Sequence, residues 1–262
     1  MKISTGLWAC VLILPAALTL AASPFDGTWK GDLSTAKVSG KPDSFLLQDG
    51  TYTCKTCSPA VKVAADGKDH PVSGSPYYDT LSVAVLDERT ILKTGKRAGK
   101  TVLSTRFSVS ADGSSATSEF SDSTATNSAP VTGAIAWHRV TSGPPGSHSI
   151  SGSWQQGLPK ISDNGVTSTL EVTDNVLKMT SPTGSSYAAR LDGTDAPYSG
   201  DPGVTSVSVR KINDRSFEEV DKRDGRPVMV WRWQFDNDGK TARVRMKEVD
   251  SGVVTEALAH KQ

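Results

Sequence analysis

Leu103, Thr105, Phe107 and Val109 fall on one side of an alternating run, with Ser104, Arg106 and Ser108 on the other. Further along, Met229, Trp231, Trp233 and Phe235 alternate with Val230, Arg232 and Gln234. Successive side chains of an extended chain point to opposite faces, so both runs predict half-buried β-strands with a bulky inner face. Ala116, Ser118 and Phe120 continue every second residue after Asp112-Gly113, as do Ala242, Val244 and Met246 after Asp238-Gly239. Asp-Gly tolerates the positive φ of a tight turn, so each pair of runs predicts a hairpin. Leu81, Val83 and Ile91 match Val207, Val209 and Phe217 in the same phase. No stretch carries an apolar stripe of helical period. The pattern predicts an all-β chain, with about eight short, mostly antiparallel strands in each half.

The two halves are one unit written twice. The segment from Asp66 to Pro76 matches that from Asp192 to Pro202 at an offset of 126 residues. The offset holds without a gap through Lys96-Arg97-x-Gly99 against Lys222-Arg223-x-Gly225, and from 66 to 116 it gives 18 identities in 51 positions. Phe25-x-Gly27-x-Trp29 aligns with Ile150-x-Gly152-x-Trp154, and Ala136-Trp137-His138-Arg139 with Leu258-Ala259-His260-Lys261. This divides the chain into a leader (1–22), a first β-barrel repeat (23–140), a linker (141–148) and a second repeat (149–262). The linker, Thr141 to His148, holds two prolines and two glycines, which break regular structure. Two independently compact halves are therefore expected. Each is long enough to close as a small barrel, which removes exposed sheet edges.

Composition changes the picture mainly by exclusion. Lys plus Arg is 29 against 28 for Asp plus Glu, which disfavours a nucleic-acid partner. Met1 and Lys2 precede an apolar run from Leu7 to Leu20, closed by Ala21-Ala22-Ser23. A basic start, a short apolar core and small residues at its end form the pattern of a cleaved export signal. The run is shorter than the ~20 residues a bilayer-spanning helix needs, and it carries Cys10 away with it. No integral membrane segment is expected after cleavage, and the mature protein is expected in the periplasm or outside the cell.

The repeated starts carry a resemblance. Gly-x-Trp preceded by an apolar residue, with a cation late in the same unit, resembles the signature of lipocalin-like (calycin) β-barrels. That resemblance implies two tandem antiparallel barrels, each closed at one end by a cation over its Trp. The implied pairs are Trp29 with Arg139 and Trp154 with Lys261. The Thr-Asp-Tyr signature of the family is absent. The chain is also similar to exported bacterial proteins of unknown function that carry one or two such repeats.

Candidate chemistry is sparse. Cys54-Lys55-Thr56-Cys57 could exchange disulfides, but strand-like segments flank it where redox pairs use a helix N-terminus. The favoured reading is a disulfide between Cys54 and Cys57 that pins a hairpin turn. Four histidines and three cysteines lack metal-site spacing, so no metal or cofactor is expected. Gly95-Lys96-Arg97-Ala98-Gly99-Lys100-Thr101 is one residue short of a phosphate loop and is read as a basic turn. His138 and His260 lack a shared Ser, Cys or carboxylate neighbour. The repeated Asp-x-Pro-x-Ser-Gly-x-Pro segments, from Asp69 and Asp195, are read as turn chemistry before a ligand-contacting rim. Trp231, Trp233 and Phe235 form an aromatic row that either packs a core or lines a pocket.

Three functions fit. The first is a non-enzymatic exported protein binding a small apolar or amphipathic molecule, chiefly in the second repeat through Trp231, Trp233 and Phe235. The second is a structural or protein-interaction module with filled barrels. The third is a thiol oxidoreductase using Cys54 and Cys57.

Overall fold

A computed structural model of the chain describes residues 23–125 and 129–262. The expected leader and Cys10 lie outside the described residues. In chain order the strands are β1 (Gly27–Ser39), β2 (Asp43–Gln48), β3 (Thr51–Cys54), β4 (Val61–Ala64), β5 (His70–Pro71), β6 (Thr80–Asp87), β7 (Thr90–Arg97), β8 (Lys100–Val109), β9 (Ser115–Asp122) and β10 (Val131–Ser142). They continue as β11 (Gly152–Ile161), β12 (Thr167–Thr173), β13 (Val176–Thr180), β14 (Ser186–Arg190), β15 (Asp192–Ser199), β16 (Ser206–Asn213), β17 (Ser216–Arg223), β18 (Arg226–Phe235), β19 (Thr241–Glu248) and β20 (Val254–Lys261). A single 3-10 turn, Asp163–Gly165, is the one helical element among the described residues. The all-β, antiparallel expectation holds. Each sheet has ten strands rather than eight, because segments as short as His70–Pro71 also pair.

The strands form two sheets. One is a closed barrel in the order β1, then β12 through β20, with β20 returning to β1. The other runs β4-β3-β2-β11-β10-β9-β8-β7-β6-β5. It curls until the chain after β4 meets β6. Gly67 N donates to the Val83 carbonyl at 2.9 Å, and Asp66 bridges Ala84. This leaves a nearly closed barrel.

The first strand of each repeat lies in the other repeat's barrel. β1 pairs with β12 through Gly27–Lys30 and with β20 from Trp29 to Ser39. β11 lies between β10 and β2. The cause is local. β10 turns through residues 143–151 directly into β11, and consecutive antiparallel strands pair with their neighbour. β11 thereby takes the place beside β10, and β1 takes the place left between β12 and β20. The expected linker is a hairpin loop rather than a spacer. Thr141 and Ser142 belong to β10, and Gly143 N donates to the Ser151 carbonyl at 3.1 Å. The chain is thus not two halves that separate at this loop, since each barrel needs a strand from the other repeat.

The exchange carries the cores with it. Phe25 and Trp29 pack with Phe217, Trp233 and Phe235 in the closed barrel. Ile150 and Trp154 pack with Phe45, Phe107 and Trp137 in the other. The Trp indole N–H donates to the carbonyl four residues earlier in both places, Phe25 at 2.9 Å and Ile150 at 2.8 Å. The barrel-closing pairs are exchanged relative to expectation. The Arg139 guanidinium stacks over Trp154 at 4.0 Å, and Lys261 Nζ sits 5.7 Å from the Trp29 ring. Arg139 also donates to the carbonyls of Ser151 at 2.7 Å and Ser149 at 2.6 Å, and to that of Gly113. The glycine of Gly-x-Trp follows from this packing. Gly27 (φ +135°) and Gly152 (φ +133°) hold backbone that side chains rarely adopt, and a Cβ would overlap Lys261 in one and the Thr141 carbonyl in the other.

Candidate functional site

The alternation that builds β17 and β18 also stocks the interior of the closed barrel. Phe217, Glu219 and Asp221 point inward from β17, opposite Trp233, Trp231 and Met229 of β18. Phe217 joins Phe25, Trp29, Trp233 and Phe235 in an apolar floor, with Trp233 and Phe235 stacked at 5.9 Å. Two carboxyl groups follow in the next inner positions of the same strand. Glu219 is 7% exposed and Asp221 5%.

These acids are partly satisfied. Tyr187 of β14 donates its hydroxyl to Glu219 Oε2 at 2.7 Å, and Trp231 donates Nε1–H to Asp221 Oδ2 at 2.9 Å. Asp221 Oδ1 is buried, with no donor beyond the neighbouring Glu219 carboxyl. Burial disfavours the charged form of both groups, while a hydrogen bond from Glu219 favours the ionised form of Asp221. Burial, with the Asp221 charge beside it, raises the Glu219 carboxyl well above the ordinary range. Burial pushes Asp221 up to about 6, against the lowering effect of the Trp231 hydrogen bond. The Tyr187 and Tyr198 hydroxyls are held neutral, by burial first and by the two acids second.

A cavity of about 410 Å³ lies over this floor. Tyr198, Glu219, Asp221 and Trp231 supply its polar wall, and Leu170, Met179, Val244 and Ala257 its apolar one. It reaches sideways to Gly31 and Ile161, where β1 runs past the start of β12 and only Gly31 N still reaches the Val166 carbonyl, at 2.9 Å. No Lys, Arg or His lines it among the described residues, whereas Glu248 adds a third acid.

The structure divides the predicted aromatic row. Trp231 and Trp233 line the cavity, and Phe235 lies in the floor. Cys54 and Cys57 are joined as a disulfide that closes the loop between β3 and β4, with Cys54 fully buried. Gly95–Thr101 is the β7–β8 hairpin, turning at Ala98-Gly99 with positive φ. The repeated Asp-Pro segments are structural anchors: Asp69 binds Lys96 Nζ at 2.7 Å, and Asp195 binds Lys222 in the same way. His260 stands 3.7 Å from Asp32, on the outside of β20 and β1. Among the described residues no group of three His, Cys, Asp or Glu is placed to hold a metal ion, and no helix is long and apolar enough to cross a membrane.

Sequence reasoning passed over Glu219 and Asp221. The repeat itself held the signal. At the offset of 126, Glu219 stands opposite Lys93 and Asp221 opposite Gly95, in phase with the core residues Phe217 and Ile91. Charged residues on an inner face are informative because burial penalises them.

No protein-family model matches the chain, and comparison with curated proteins finds no relative.

Proposed function

We propose that the closed barrel binds a small amphipathic molecule in its interior, and that the chain is an exported binding protein rather than an enzyme. The cavity between Trp231 and the apolar wall carries this reading. Its volume of about 410 Å³ lies in the range of small-molecule sites, and such sites combine apolar walls with a few converging polar groups. The resemblance of the Gly-x-Trp starts to lipocalin-like barrels supports the same reading. The leader-like segment at 1–22 supports export to the periplasm or the cell exterior.

A second reading, a structural or interaction module, is favoured for the first barrel alone. There the Trp137 indole reaches across to Ser118 Oγ at 2.9 Å, at the positions that Ala259 and Val244 occupy in the second. The third reading, a thiol oxidoreductase, has less support. Cys54 is fully buried, and its pair sits between two strands rather than at a helix N-terminus.

Titration with an uncharged quinone or an apolar dye, followed by Trp fluorescence, tests the proposal. A saturable change is expected, and Ala257→Phe, which puts a ring into the cavity, should abolish it. No saturable change in the unmodified protein with either probe would overturn the proposal.

A further inference from the structure

We infer that the ligand of the closed barrel is an organic amine, whose protonated nitrogen docks between Asp221 and Glu219 while its apolar part fills the cavity. This rests on the cavity being a binding site. Asp221 lines the cavity, and its buried Oδ1 has no partner apart from the neighbouring Glu219 carboxyl. Buried polar atoms in folded proteins are nearly always paired, so two acids that have only each other, Tyr187 and Trp231 beside a void mark where a ligand donor can take the place of a shared proton.

The nature of that donor follows from its surroundings. Three carboxyl groups line the cavity, Glu219, Asp221 and Glu248, and no basic side chain does so among the described residues. An anionic head group would meet repulsion there with no positive charge to offset it. A cation meets the acid pair and two aromatic side chains, Trp231 and Tyr198, whose ring faces attract ammonium groups. A metal ion is a poorer fit, because among the described residues no three His, Cys, Asp or Glu stand close enough together to hold one. An ammonium needs only two or three acceptors and tolerates aromatic neighbours. The opposite wall, with Leu170, Met179, Val244 and Ala257, asks for an alkyl or aryl body on the same molecule.

Three probes of equal chain length separate the possibilities: n-octylammonium, octan-1-ol and octanoate. Each is titrated calorimetrically into the full chain at neutral pH, where the amine is protonated and the acid ionised. The amine should bind at least about tenfold more tightly than the alcohol, given charge-assisted hydrogen bonding plus the aromatic contacts, and octanoate should bind most weakly. In the double variant Glu219→Gln, Asp221→Asn the amine should fall to the affinity of the alcohol, whose own binding should persist. Persistence of alcohol binding also shows that the variant folds. If the alcohol binds the unmodified protein as tightly as the amine, the amine assignment falls and the cavity reading survives. If octanoate binds most tightly, the assignment falls in the same way. If none of the three binds, both fall.

Discussion

The two barrels share a scaffold and differ in what they bury. On β7 the inner residues are Ile91, Lys93 and Gly95, and on β17 they are Phe217, Glu219 and Asp221. In the first barrel Lys93 Nζ lies over the rings of Phe45 and Tyr52, at 5.7 and 5.8 Å. Burial pulls its pKa down, with Tyr78 and Asp43 opposing the shift, and the Tyr78 ring covers the bare face of Gly95. A long side chain with a terminal charge can thread through a packed interior and leave no room. The second barrel replaces it with two short acids beside a void. One sequence unit thus supports an interior threaded by a lysine and another with two acids beside a void, because the β-ladder fixes which residues point inward but not their charge or size.

The exchange of first strands gives the largest expected effects. Trp29 and Trp154 are both essentially fully buried, so replacing either by Ala should cost about 3–5 kcal/mol. The location of the damage discriminates. Trp29→Ala should loosen β12 through β20, and Trp154→Ala should loosen β2 through β10, each seen as lost hydrogen-exchange protection in the repeat that does not contain the mutation.

The acidic interior predicts a pH response. Folding raises the Asp221 pKa from 3.8 to about 6 and lifts that of Glu219 well above its ordinary value, so in this range the unfolded chain releases protons that the folded one keeps. Stability should therefore fall as pH rises from near 4 to above 6, and be greatest on the acid side of that window as far as these two groups decide it. Urea unfolding across this range should show the slope. Glu219→Gln with Asp221→Asn should flatten it, since the amides still accept from Tyr187 and Trp231 without a charge to bury.

The end-closing cations should rank by their contacts. Arg139→Ala removes three hydrogen bonds and a stacked indole, and should cost about 2–3 kcal/mol. Lys261→Ala removes a more distant contact with Trp29 and should cost about 0.5–1 kcal/mol. Chemical denaturation measures both. Equal losses would contradict the difference in geometry.

Much of this architecture was legible in the residues. Period-two alternation marked β8 and β18, Asp-Gly marked their turns, and self-comparison marked the duplication. The Trp and cation residues were found, but their partners were crossed. Both repeats carry the same local pattern, so nothing in β1 or β11 alone says which barrel it joins. That choice belongs to the short loop of residues 143–151, which holds β11 beside β10. The interior acids were overlooked for a different reason. Bulky inner side chains mark the strand pattern, whereas the two acids lie at polar positions that follow Phe217 on the same face of β17.

The exchange can be tested directly by nuclear Overhauser contacts from the two end-closing indoles. The account predicts contacts from Trp154 to the Arg139 side chain and from Trp29 to the Lys261 side chain. Contacts from Trp29 to Arg139, with Trp154 against Lys261, would show each repeat closing on itself and would contradict the crossed arrangement.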